Sequence, residues 1–334
     1  MKQTTIKDIA VKLGLSVSTV SRALSDHPDI NQKTKELIKE TAVALKYRPN
    51  VVARNLKSSK SNQIGVIVPE IRHDFFANAI SGIEEVAYQN GYTVIVAQSN
   101  EDYKREKINL NSLYLNRVSG IIISVSQSTT KSEYFKNLLR SGVKMVFFDR
   151  TLDDLDTYRV VINDYESSLK AVNFLIEKGY KKIIHFAGPQ TLSTCLNRRL
   201  GYEEAMKQSG LVSYLHIEEG GMHESDGYKT MHKLLSKGKT PEAIFAVNDP
   251  VAIGAFKRLR EEGIKIPGEV AIVGFSNNPI TELIDPPLTT IEQPAFEMGK
   301  AAAKLLIDQI EERPLKSEDK IIKLDTKLII RGSA

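Results

Sequence analysis

The chain holds a single cysteine, Cys195, among 334 residues. That excludes an intrachain disulfide and any metal site built on several thiolates. Long hydrophobic runs are also absent. Apolar runs such as residues 120–123 and 144–148 have the length of a strand and cannot cross a bilayer. The first residues, MKQTTIKD, are polar and contain no apolar secretory segment, so the cytoplasm is the expected compartment. Catalytic signatures are missing too. His27, His73, His185, His216, His223 and His232 form no HExxH pair, and no GxSxG elbow occurs. Gly238-Lys239-Thr240 resembles the end of a phosphate loop, but Lys233 stands where that loop needs glycine. Neither an enzyme nor a resident metal or cofactor is expected.

What is present is an uneven charge. Residues 1–60 hold 12 Lys and Arg against 5 Asp and Glu, whereas the remainder holds 34 against 36. The basic character is confined to the N-terminal segment, which suggests a polyanion as the partner of that segment alone. A hydrophobic content of 41% supports real cores, and this length suits two or three domains.

The basic segment reads as three short helices. Thr5 and Asp8 fit a capping box, after which Ile6, Ile9, Ala10 and Leu13 share one face. Gly14 breaks the helix. Ser16 can cap a second helix whose Val17, Val20 and Leu24 face inward, leaving Ser18, Thr19, Ser21 and Arg22 outward. Asn31 can cap a third, with Leu37, Ile38, Ala42 and Leu45 inside. This is the layout of a DNA-reading helix-turn-helix. Pro49 ends the pattern, and residues 50–57 have helical character over a span too short to be stable alone. Residues 58–62, SSKSN, read as a polar linker.

From Ile64 onward apolar strands alternate with amphipathic helices. Strands are expected at 64–68, 93–97, 120–124, 145–148, 182–186, 243–247 and 270–273, with a last one at 327–330. This rhythm predicts a doubly wound α/β body with parallel sheets, and the number of strands argues for two subdomains that separate near residues 157–163. Ligands of such sheets bind beyond the carboxyl ends of the strands. Phe75 and Phe76, Asp149 and Arg150, Asn248 and Asp249, and Ser276 and Asn277 all follow strands in this way.

The segments TIKDIA, GLSVSTVSRAL, YRPNVVARNLK, IGVIVPEI, GIEEVAYQNGY, FFDR, AVNDPVAIGA, VAIVGF and PPLTTIEQP together resemble the LacI/GalR-type transcriptional regulators over essentially the whole chain. The resemblance implies a helix-turn-helix domain at residues 1–48, a hinge helix and linker at 49–62, and a periplasmic-binding-protein-like body at 63–334. One subdomain of that body would take about 63–162 plus 293–324, and the other about 163–292 plus 325–334. It implies a homodimer on a near-palindromic double-stranded operator. Val17, Ser18 and Arg22 would read bases, and Arg22 can fork onto guanine. Ser16, Thr19, Ser21 and Asn31 would position the backbone. The hinge residues Asn50, Ala53 and Leu56 would enter the minor groove, with Leu56 as the wedge.

By the same resemblance Phe75, Phe76, Asp149, Arg199, Asn248 and Asp249 line an effector cleft that takes a small sugar or sugar acid, or a corepressor of another class. The segment with His223 and Asp226 often adds a contact. The run GFSNN departs from relatives that place Asp where Ser276 stands. With one carboxylate fewer beside Arg199, an acidic effector is expected. Asn277 could instead serve a neutral sugar. No leucine-heptad tail follows the last strand, so a dimer is expected rather than a tetramer.

Overall fold

A computed structural model describes residues 4–47, 61–152 and 154–334. The chain divides into two compact units, Met1–Ser61 and Asn62–Ala334.

In the first unit α1 (Ile6–Leu13), α2 (Val17–Leu24) and α3 (Gln32–Ala44) enclose a small core of Ile9, Ala10, Val20, Ala23, Ile38 and Ala42. The caps follow the sequence. The Thr5 amide donates to Asp8 at 2.7 Å, the Thr19 amide to Ser16 Oγ at 3.0 Å, and the Thr34 amide to Asn31 Oδ1 at 2.9 Å. Gly14 takes φ +64°, a left-handed conformation that costs a glycine little and ends α1. Two inward assignments are corrected. Val17 is 41% exposed and Leu37 50% exposed. At about 100° per residue, Leu37 lies roughly 100° from Ile38, and Val17 lies about 60° from Val20 and 120° from Ala23, at the margin of the stripe. Lys35 lies inward instead and donates to the Asp26 carbonyl at 3.1 Å, so its stem fills the core edge while its charge stays paired. The expected hinge residues Asn50, Ala53 and Leu56 lie outside the described residues.

The second unit contains two six-stranded sheets. The first runs β11-β5-β4-β3-β1-β2, with β1 Gln63–Val68, β2 Thr93–Gln98, β3 Gly120–Ile123, β4 Met145–Phe148, β5 Tyr158–Ile162 and β11 Ile321–Leu324. The second runs β12-β10-β9-β8-β6-β7, with β6 Ile183–Ala187, β7 His216–Glu219, β8 Ala243–Ala246, β9 Ala271–Ser276, β10 Thr289–Glu292 and β12 Lys327–Ile329. All pairings are parallel except β10 with β12, which is antiparallel. No crossover helix precedes β12. The chain reaches it from β11 through Asp325 and Thr326 alone, so nothing imposes the parallel direction.

Helices cover both faces of each sheet. On the first sheet α4 (Asp74–Gln89) and α12 (Ala295–Ile310) pack against one face, α5 (Tyr103–Leu115) and α6 (Glu133–Arg140) against the other. On the second, α7 (Asp164–Glu177) and α8 (Ser193–Gln208) oppose α9 (Glu224–Ser236) and α10 (Asp249–Glu261). A short α11 (Ile280–Leu283) precedes β10. The strands show why. In β1, Ile64, Val66 and Val68 join one core and Ile67 the other, the pattern of a sheet buried on both sides. Helix pairs approach closely at glycines. A Cβ on Gly82 would stand 2.1 Å from Phe296 O, and one on Gly299 would stand 2.0 Å from Ala79 O, so α4 and α12 touch backbone to backbone.

The chain crosses between the sheets three times: at Asn163, at Gln293–Pro294, and at Asp325–Thr326.

Candidate functional site

Two surfaces carry the chemistry. The first is the exposed side of α2. Val17, Ser18 and Arg22 face solvent there, with Ser21 half-buried beside them. Ser16 Oγ lies 2.7 Å from Ser18 Oγ and 2.8 Å from Thr19 Oγ1, so three hydroxyls cluster at the helix start. Arg22 Nη1 is 4.0 Å from Asp29 Oδ2, a loose ion pair that a stronger acceptor can displace.

The second is a cavity at the carboxyl ends of β1, β4, β6, β8 and β9, between the two sheets of the second unit. The first sheet's side supplies His73, Phe75, Phe76, Asp149 and Arg150. The second supplies Thr194, Arg198, Met222, Asn248, Ser276 and Asn278, and Gln293 lines it from a crossover. Phe76 is buried against Phe148, and the half-buried Phe75 meets it edge to face. Asn248 divides its amide, capping α10 by accepting from the Val251 amide at 2.9 Å and donating to the Met222 carbonyl at 2.9 Å. Gln293 accepts from Ser276 Oγ at 2.8 Å and reaches Asp149 Oδ1 at 3.5 Å, joining both sides.

Several backbones at this cavity are strained. Asp149 has φ +57° and Ser276 +125°, and Asn277 beside it has +58°. Such conformations in residues other than glycine cost about 1–3 kcal/mol each and are held by their surroundings. At Asp149 and Ser276 they aim side chains into the cavity across the strand ends.

Both arginines in the cavity already have partners. Arg150 Nη1 lies 2.7 Å from Glu101 Oε1 and Nε 3.9 Å from Asp149 Oδ2. Burial works against the Arg150 charge, but Glu101 and Asp149 outweigh it and hold its pKa above the usual value. Arg198 donates from Nε to Asp164 Oδ1 at 2.8 Å and from Nη1 to the Val247 carbonyl at 2.7 Å, while its plane lies 3.7 Å from the Phe275 ring centre. Burial pushes Asp164 up to about 6 against the pull of Arg198, and it raises Asp149 as well.

Three expected residues are placed elsewhere. Arg199 is outside the cavity and pairs with Glu203 at 2.7 Å and Glu219 at 3.0 Å, while its neighbour Arg198 points in. One residue turns a helix by about 100°. The signal was legible: the buried stripe of α8 is Thr194, Cys195, Arg198, Gly201, Tyr202, Ala205 and Met206, and Arg199 is off it. Asp249 is fully buried below the cavity, where it accepts from Thr290 Oγ1 at 2.6 Å and from the Asn278 amide at 2.8 Å. Burial pushes it up to about 6. Asn277 turns away to Arg331 at 2.9 Å and Glu292 at 3.2 Å, and Asn278 takes the lining position. Arg150 lines the cavity as its place after β4 suggested, whereas His73, Thr194, Arg198, Asn278 and Gln293 were not foreseen as lining residues.

Among the described residues no helix is long and apolar enough to cross a membrane. The family description "Bacterial regulatory proteins, lacI family" matches residues 5–50, and "Periplasmic binding protein-like domain" matches residues 172–334. The HTH-type transcriptional repressor CytR of Escherichia coli (strain K12) is 34% identical over 330 residues, 98% of this chain and 96% of that protein. The crystallised Lac repressor dimer bound to operator and the anti-inducer ONPF superposes with a TM-score of 0.86 at 24% identity, covering 99% of each chain. A LacI family transcriptional regulator from Enterococcus faecium with bound ribose gives a TM-score of 0.73 at 27% identity, covering 81% of this chain and 98% of that one.

Proposed function

The chain belongs to the lacI family of bacterial regulatory proteins and is a ligand-responsive transcriptional repressor rather than an enzyme; from that premise we propose that it grips a near-palindromic operator as a cytoplasmic homodimer and releases or tightens that grip when a small neutral, polyhydroxylated ligand enters the cavity between its sheets. Val17, Ser18 and Arg22 read base edges, and Ser16, Thr19, Ser21 and Asn31 hold the phosphates on either side. Asn50, Ala53 and Leu56 form the minor-groove clamp.

One observation carries the choice of a neutral ligand. The two buried guanidiniums of the cavity, Arg150 and Arg198, are each held by a carboxylate, Glu101 and Asp164. An acidic ligand would have to compete with both. The polar atoms of Asn248, Asn278, Ser276, Gln293 and Asp149 suit hydroxyls, and Phe75 offers a ring face to an apolar sugar face. The bound ribose of the E. faecium regulator supports this class and the regulation of carbohydrate-use genes. Calorimetry with a panel of neutral sugars and the matching uronic acids tests it; uptake of the acids alone refutes it. A mobility-shift titration with the bound compound then gives the sign of the response.

A further inference from the structure

We propose that Glu70, His73 and His223 form a binding site for a divalent first-row transition ion that bridges the two subdomains across the cavity. Glu70 and His73 follow β1 on the first sheet. His223 precedes α9 on the second, 150 residues later. The ligand atoms of the three side chains all lie within 4.8 Å of one another.

The spacing suits an ion. Glu70 Oε2 lies 2.9 Å from His73 Nε2 and 3.9 Å from His223 Nδ1. In a tetrahedral zinc site with bonds of about 2.0–2.1 Å, neighbouring ligand atoms stand roughly 3.3–3.4 Å apart. The present distances bracket that value, so loading needs shifts of only a few tenths of an ångström on the Glu70 side. The two imidazole rings stand 5.9 Å apart between centres with their planes 19° from parallel, so loading also turns one ring until both in-plane lone pairs meet at the ion. Two imidazoles on one ion at those bond lengths bring their centres to roughly 5–6 Å. Two imidazoles and one carboxylate are a borderline donor set that favours zinc and its neighbours over magnesium or calcium.

The surroundings permit entry. The Glu70 carboxylate is buried, but both rings are only half-buried. The competing cation is Arg72, 3.2 Å from Glu70, and its own side chain is 72% exposed. Arg72 also reaches Glu70 Oε1 at 3.3 Å, so a divalent ion takes Oε2 by displacing one arm of a fork whose cation lies in solvent. Arg150, a buried cation of the same cavity, is already engaged by Glu101 and Asp149. The His73 and His223 backbones are fixed, because each is the N-cap of a helix, α4 and α9 respectively.

That capping position gives a clean test. Asn caps helices well, so His73→Asn and His223→Asn remove an imidazole while preserving the fold. The full chain, stripped with a chelator, is titrated with Zn2+ alone by calorimetry, without DNA or effector, and its thermal midpoint is followed in parallel. The expected result is one ion per chain and a raised midpoint, with affinity falling at least tenfold in either variant. No uptake by the unaltered chain overturns the proposal, as does unchanged affinity in both variants. Because neither readout involves operator binding, the outcome is separable from the regulatory reading.

Discussion

Arg198 Nε lies 2.8 Å from Asp164 Oδ1, and both side chains are at least nine-tenths buried, with Phe275 beneath the guanidinium. The pair ties α8 to the start of α7 at the cavity wall. Arg198→Ala leaves a buried carboxylate without its partner and costs about 3–5 kcal/mol. Replacing both residues with apolar ones of similar size restores most of that stability. Urea denaturation of the single and double variants measures it. A loss under 1 kcal/mol in the single variant contradicts the assignment of this pair as the wall's anchor.

Stability should fall as pH rises from acid to neutral through one buried group. Glu106 accepts from the Ser126 amide at 2.7 Å and Thr129 Oγ1 at 2.6 Å, and burial pushes it from 4.5 up to about 7. The folded state therefore holds this proton more tightly than the unfolded chain. Its contribution is complete below the unfolded value and is lost as pH climbs through the folded one. At 1.36 kcal/mol for each unit, the loss is on the order of 3 kcal/mol. Glu106→Gln should flatten the slope between about pH 4 and pH 8 in chemical denaturation. An unchanged slope assigns the effect to Asp164 and Asp249, which are raised in the same direction.

The α4–α12 contact should not tolerate a methyl group. A Cβ on Gly299 meets a backbone carbonyl, which cannot rotate aside as a side chain could. Gly299→Ala should therefore destabilise the protein by about 1–3 kcal/mol or more despite the better helix propensity of alanine. Thermal unfolding against the parent chain decides it, and a raised midpoint contradicts the backbone contact.

Arg22→Ala should weaken operator binding by about 1–3 kcal/mol if the guanidinium reads a guanine. The dependence of affinity on salt separates this from a phosphate contact. A base reader leaves the slope of log affinity against log salt nearly unchanged, whereas loss of a phosphate contact lowers it by about one.

How much of this was visible in the sequence varies with the scale of the force involved. The caps at Thr5, Ser16 and Asn31 were legible because each depends on a residue and its neighbour three positions on. Eight strands were legible because a sheet buried on both faces needs a continuous apolar run, whereas β5, β7, β10 and β11, each containing a charged residue, were missed. Arg199 was chosen from its place on the helix after the Ala187-Gly188-Pro189 turn, where Arg198 stands beside it, and the stripe running from Thr194 to Met206 separates the two. Asp249 and Asn277 were misplaced for another reason. Both sit beside the cavity in sequence, but Thr290 and Arg331, about 40 and 54 residues later, claim their side chains. The pairing of His73 with His223 depends on how the two sheets meet, and no local pattern records that.

The three crossings at Asn163, Gln293–Pro294 and Asp325–Thr326 have a consequence for how this molecule can be divided. No contiguous stretch of the gene encodes either lobe. A fragment ending at Ile162 lacks α12 and the edge strand β11, and a fragment starting at Asn163 carries both as orphans. A protease that severs one link leaves two intact, so a nicked chain stays whole until it is denatured. The lobes are held like two pages on three stitches.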